Sequence, residues 1–160
     1  MASNGSRLAI QVVLALVIVA LTYVLYQSIR GPQVEYEALQ RANAVGHERM
    51  NDVRNALISY RDATNTYPAT LDSLVIFAKT DTSFAVPETE EPRLMEFNAD
   101  SLRVSARNGE VFNYEVVRGA DSTGAFDGVE IYWLQDPAAP GDSIGARTAN
   151  PALRNAASWE

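Results

Sequence analysis

The stretch "RMNDVRNALISYRDATNTYPATLDSL", Arg49 to Leu74, decides the fold. Met50, Val53, Leu57 and Tyr60 recur at steps of three, four and three, which puts them on one stripe of a helix. Glu48, Arg49, Asp52, Arg54, Arg61 and Asp62 occupy the rest of its circumference. "TNTYP" brings weak helix formers and Pro68, so the helix is expected to end near Asn65. Thr70 then caps a second, short helix with Asp72 in its first turn. Leu71, Leu74, Val75 and Phe77 are its apolar contacts, and it is expected to stop around Lys79. His47 is expected to be a solvated helix residue, with no ligand or base role.

Working back from this stretch, small and apolar residues at Val34, Ala38, Leu39, Ala42 and Val45 extend the helical pattern to Gln33. Gly31-Pro32 predicts a break or kink. Before it, "LAIQVVLALVIVALTYVLYQSI", Leu8 to Ile29, is uncharged. At about 1.5 Å per residue it covers roughly 33 Å, enough for a bilayer core of roughly 30 Å. Tyr23 and Tyr26 lie near its end, where amphipathic rings favour the headgroup level, and Arg7 and Arg30 flank it as membrane-interface cations. Gln11 and Thr22 are its main polar interruptions. The run exceeds a signal-peptide core, and no A-x-A site follows. An uncleaved signal anchor is therefore expected, with residues 1–7 a cytoplasmic head, 8–29 the span, and the rest across a bacterial inner membrane. The flanking charges alone do not set that orientation.

Working forward, "TSFAVPETEEPR" reads as an acidic linker and "RLMEF" as a possible strand. In "SLRVSARNGEVFNYEVVRG", Leu102 and Val104 alternate with polar residues, and Asn108-Gly109 predicts a two-residue type I′ hairpin. "GVEIYWL" alternates too, with Val129, Ile131 and Trp133 on one face. The fold class expected is α+β. A transmembrane helix continues into a stalk helix that covers one face of a small antiparallel sheet within residues 31–134. Residues 135–160 are rich in Ala, Pro, Gly and Asn and read as an extended tail. Its sizeable apolar side chains, Ile144, Leu153 and Trp159, are the expected partner contacts.

A membrane-spanning helix leading into Val53, Ala56, Leu57 and Tyr60, then Tyr67-Pro68, then Leu71 and Leu74, resembles the type IV pilin-like proteins, and most nearly the major pseudopilins of type II secretion. The resemblance covers about residues 45–75. It implies a helix packed on a small sheet. It also implies a calcium-holding loop, for which Asp121 and Asp127, with Ser122 and Glu130 nearby, are the candidate ligands. Their spacing is not that of an EF-hand, and a polar, glycine-rich hairpin loop is the plainer reading of the same residues. The Gly-Phe cleavage site and the span glutamate of prepilins are not found here, so prepilin processing and salt-bridged polymerisation are not carried over.

Composition removes several functions. There is no cysteine, which excludes disulfides and thiolate chemistry, and a single histidine excludes a multi-histidine zinc site. Beyond Gly31, 11 basic side chains face 20 acidic ones, a surface that repels nucleic acid. No P-loop, H-E-x-x-H or dinucleotide fingerprint occurs, the one G-x-S-x-G string, "GDSIG" at Gly141 to Gly145, lies in the tail, and Glu90-Glu91 sits in the acidic linker. No cofactor and no small-molecule substrate are expected. The expected function is a non-catalytic accessory subunit of a membrane complex, respiratory or photosynthetic in kind, in contact with the bilayer and integral membrane subunits. The alternative is a pilin-like component of a secretion or pilus system.

Overall fold

A computed structural model describes residues 4–80, 92–119, 128–148 and 150–160. The chain divides into two compact units, Met1–Arg41 and Ala42–Glu160. Helix α1 spans Asn4–Thr64 and contributes to both. Its bounds run through Gly31-Pro32, so the break expected there does not end the helix.

In the second unit, α1 ends where the local chemistry requires. Asn65 takes a left-handed φ of 61°, and its N–H donates to the Arg61 carbonyl at 2.7 Å. Asparagine tolerates this conformation better than most residues, which suits it to the position after a helix. Helix α2, Leu71–Thr80, begins with the Thr70 hydroxyl accepting from Ser73 N–H at 3.3 Å. Its buried residues are Leu71, Leu74, Val75 and Phe77, the four that its spacing indicates.

Three antiparallel strands follow, β1 Asn113–Arg118, β2 Glu130–Asp136 and β3 Ala139–Gly145, in the order β1-β2-β3. Tyr114 pairs with Leu134 and Leu134 with Ile144, while Val116 pairs with Tyr132. These side chains join the core made by Met50, Val53, Ala56 and Leu57 of α1 and by α2. The opposite face carries Glu115, Trp133 and Arg147, whose guanidinium lies 3.7 Å from the Trp133 ring centre.

Three expectations need correcting. The arm before β1 is not a strand but a 3-10 helix, Ala99–Arg103, capped by the Asn98 side chain, and only Val104 and Val111 bridge. The hairpin is not type I′, because Asn108 keeps a negative φ and only Gly109 is left-handed at 75°. The loop closes instead through Gly109 N–H to the Ser105 carbonyl and Ser105 N–H to the Glu110 carbonyl. "RLMEF" forms no strand, since its residues are held by side chains: Leu94 N–H donates to Glu48 at 2.9 Å.

The tail is the larger correction. Residues 139–145 of the supposed extended tail form β3, and residues 156–158 run along β3 in turn. Gly145 N–H donates to the Ala156 carbonyl and Ser158 N–H to the Ser143 carbonyl, both at 2.9 Å. "APGDSIG" has poor intrinsic strand propensity, and Pro140 near its start is tolerated because it falls at the register shift opposite Gln135 and Asp136, where it has no partner in the β2–β3 register.

Two core phenols make the fold alkali-sensitive. Burial raises the pKa of Tyr114 and of Tyr132 well above the ordinary phenol value. Their hydroxyls donate to the Pro68 carbonyl at 2.9 Å and to Asn155 Oδ1 at 3.2 Å. In the unfolded chain these groups lose their protons near pH 10, whereas the folded chain holds them. Stability from this source is therefore complete below about pH 10 and falls as pH rises above it. Phenolate absorbance and circular dichroism followed together should show the last phenols titrating only with unfolding. Their titration in a folded chain would contradict the burial argument.

Candidate functional site

The first unit presents an apolar surface. From Leu8 to Tyr26 the large apolar side chains are 47–67% exposed. The helix is long and apolar enough to cross a membrane, which is compatible with a single-pass membrane protein. Tyr23 and Tyr26 lie at the end of this surface, and the Arg30 guanidinium sits 5.4 Å from the Tyr26 ring centre. Arg7 precedes the apolar run on the same helix and is exposed.

In the second unit two clusters of charged side chains form against α1. One is centred on Arg107, from the hairpin loop. Its guanidinium pairs with Asp136 and with Asp142, each at 2.5 Å, and reaches the Asn43 carbonyl at 3.5 Å. Asp136 is fully buried, and its second oxygen accepts from Ala138 N–H at 2.9 Å, which shapes the β2–β3 turn. Asp142 also meets His47 Nε2 at 2.9 Å, and the His47 ring stacks on Trp159 at 4.1 Å, nearly parallel. His47 is therefore not simply solvated. Gly46 makes the approach possible, since a Cβ there would lie 2.5 Å from Arg107 Cζ. The arrangement ties α1, the hairpin loop and β3 together. Both carboxylates are committed to Arg107, so its chemistry is that of a clamp.

The second cluster lies on α1 beside residues 93–101. Arg93 pairs with Asp52 at 2.5 Å and with Glu48 at 3.4 Å, and the bond to Asp52 raises its pKa. Arg49 lies in the same cluster but bonds neither carboxylate. Its Nη2 reaches the Met95 sulfur at 3.5 Å. Burial lowers its pKa, against the raising influence of Asp52 and Glu48. Arg49 stands in the wall of an open groove of about 640 Å³, with Met95, Glu96, Phe97, Asn98, Ala99 and Ser101. Sequence spacing marked Arg49 only as part of a charged face. Nothing in the local pattern signals that residues 93–101 fold over it.

The expected partner contacts fall differently. Ile144 is fully buried in this chain's own core and has no surface left to offer. Trp159 packs partly on that core and on His47. Leu153, in a short 3-10 helix at Pro151–Leu153, is the one of the three that stays exposed. The physical reason is the pairing of this segment with β3, reinforced by Arg54, which bonds the Asn155 carbonyl at 3.2 Å and Glu160 at 2.9 Å. Asp121 and Asp127, the candidate calcium ligands, lie outside the described residues. Among the described residues no group of three or more acidic or histidine side chains is placed to hold a metal ion.

Compared with protein-family models, with curated proteins and with solved structures, the chain has no significant match.

Proposed function

We propose that this chain is a single-pass, membrane-anchored, non-catalytic subunit of a larger bacterial inner-membrane complex. The span fixes it in the bilayer with its first residues cytoplasmic, and the α+β unit meets partner subunits on the periplasmic side. The observation that carries the reading is the uncharged, mostly apolar exposed surface from Leu8 to Tyr26. A patch of that extent is far larger than soluble monomers expose and needs lipid or protein cover. The Arg107 clamp adds support, because it commits Asp136 and Asp142 to holding the unit together.

The test is extraction followed by sizing. Carbonate-washed membranes should retain the protein. A density gradient in mild detergent should carry it with one large complex at fixed stoichiometry, with the peptide of residues 1–7 intact by mass spectrometry. A light, unassociated band would sink the reading.

A pilin-like component is the second reading. What favours it is a core shared by Val53, Ala56 and Leu57 of α1 with Tyr67, Leu71 and Leu74, on an antiparallel sheet. A trimmed first segment found with secretion proteins would move the assignment there.

A further inference from the structure

Two open grooves meet end to end along one side of the first unit's helix. The lower, of about 350 Å³, lies between Ile18, Val19 and Thr22 and the rings of Tyr23 and Tyr26. The upper, of about 360 Å³, begins at the same two rings and runs past Gln27 and Arg30 to Val34. Their chemistry differs. Thr22 donates its hydroxyl to the Ile18 carbonyl at 2.8 Å, so the wall below the tyrosines spends its polar group within the helix. The upper groove offers a guanidinium, a carboxamide and two phenols, and no carboxylate lines it. Arg30 sits 5.4 Å from the Tyr26 ring centre and pairs with no carboxylate among the described residues. A guanidinium carries five N–H donors in a planar fork, and a ring face does not use up that fork.

We propose that the two grooves together hold one anionic glycerophospholipid. Its phosphate pairs with Arg30 and accepts a hydrogen bond from Gln27, and one acyl chain lies along Ile18, Val19 and Thr22 beside the tyrosine rings. The inference rests on the reading of residues 8–29 as a membrane span, and adds a defined ligand to it.

Length, polarity and charge select the occupant. Ile18 and Arg30 are about 18 Å apart along the helix axis, at about 1.5 Å per residue. Half of a bilayer core is roughly 15 Å, so a chain whose phosphate meets Arg30 reaches the region of the midplane at Ile18. The passage from donors to hydrocarbon along that axis fits an upright amphipathic molecule. A water-soluble anion would satisfy only the upper groove, and an apolar neighbouring helix only the lower. Guanidinium and phosphate match bidentately. The upper groove has no carboxylate for a headgroup ammonium, which favours a glycerol head over ethanolamine. Glu35 and Glu37 are the next acids along the chain. Glu35 stands about 140° round the helix from Arg30. Glu37 is on the same side but about 10 Å further along the axis, beyond the roughly 8 Å over which salt screens exposed charges.

The experiment uses the full chain purified in mild detergent. Phosphatidylglycerol and phosphatidylethanolamine with the same acyl chains are added in equal amounts, and retained lipid is read by native mass spectrometry. One phosphatidylglycerol per chain should be retained, in preference to phosphatidylethanolamine. Arg30→Gln should lower that retention at least about tenfold, the loss of charge-assisted hydrogen bonds. Arg30→Lys, which keeps the charge but not the fork, should fall between. Val19→Trp fills the lower groove, leaves Arg30 in place and should weaken retention as well. Arg7→Gln, at the other end of the apolar run, should change nothing. Arg7, Val19 and Arg30 are all exposed on the helix, so none of these variants removes a buried contact. Equal retention of the two lipids, or equal loss with Arg7→Gln and Arg30→Gln, overturns the site and leaves the span standing. Full retention by Arg30→Gln or by Val19→Trp does the same. Release of the wild type from carbonate-washed membranes overturns the span and the site with it.

Discussion

Replacing Arg107 with methionine should destabilise the second unit by about 3–5 kcal/mol, the usual cost of stranding one member of a buried ion pair. The arginine side chain is 8% exposed and Asp136 is fully buried. Without the guanidinium, the Asp136 carboxylate keeps Ala138 N–H as its hydrogen-bond donor among the described residues. Asp142 would keep His47 and gain water, so most of the loss belongs to Asp136. Against a typical total of roughly 5–15 kcal/mol, such a loss lowers the thermal midpoint by many degrees. The companion double variant Arg107→Met, Asp136→Leu should recover most of it, because removing both charges removes the desolvation penalty. Thermal unfolding of the detergent-solubilised chain measures both. A single-variant cost below about 1 kcal/mol would mean that the pair is effectively solvated.

Replacing Gly145 with alanine should cost about 3 kcal/mol for a different reason. Gly145 holds φ at 82°, and a Cβ there would meet the Tyr132 carbonyl oxygen at 1.9 Å. The left-handed conformation accounts for about 1–2 kcal/mol in a residue with a Cβ. Overpacking against a backbone that cannot rotate away adds about 1–3 kcal/mol. Gly109 is the natural control, with φ of 75° but nothing within 4 Å of its virtual Cβ. Gly109→Ala should show the conformational part alone, and the difference between the two melts isolates the collision. Equal melting points would place Gly145 in a looser backbone than described here.

Much of the fold's helical half was legible because it depends on local chemistry. The Met50, Val53, Leu57 stripe, the stop at Asn65, the Thr70 cap and the four buried residues of α2 all follow from spacing and capping. Gly31-Pro32 does not end α1, since local breaker signals are statistical and the helix runs through them. The sheet was half legible. β1 and β2 alternate, but β3 is written in residues that avoid strands, and only its pairing with β2 makes it one. The same dependence hid the clamp. Arg107, Asp136 and Asp142 look like solvated loop charges until the turn at Pro137-Ala138 folds β3 back beside β2. Of the expected partner contacts, Ile144 is fully covered and Trp159 partly covered by residues distant in sequence. Arg49 was visible as a charge but not as a buried one.

Residues 155–160 also bear on how the molecule is made. Glu160 meets Arg54 across 106 positions, and Asp142 meets His47 across 95. At about 5–20 residues per second of synthesis, roughly 5–20 s separate the emergence of such partners. Through that interval the stripe of α1 waits without the strand that completes its cover, because loop-closing contacts form only once both ends exist. The apolar stretch from Leu8 to Tyr26 is made before any of the sheet. Maturation of the second unit is thus a late event, which waits for β3 and for residues 155–160.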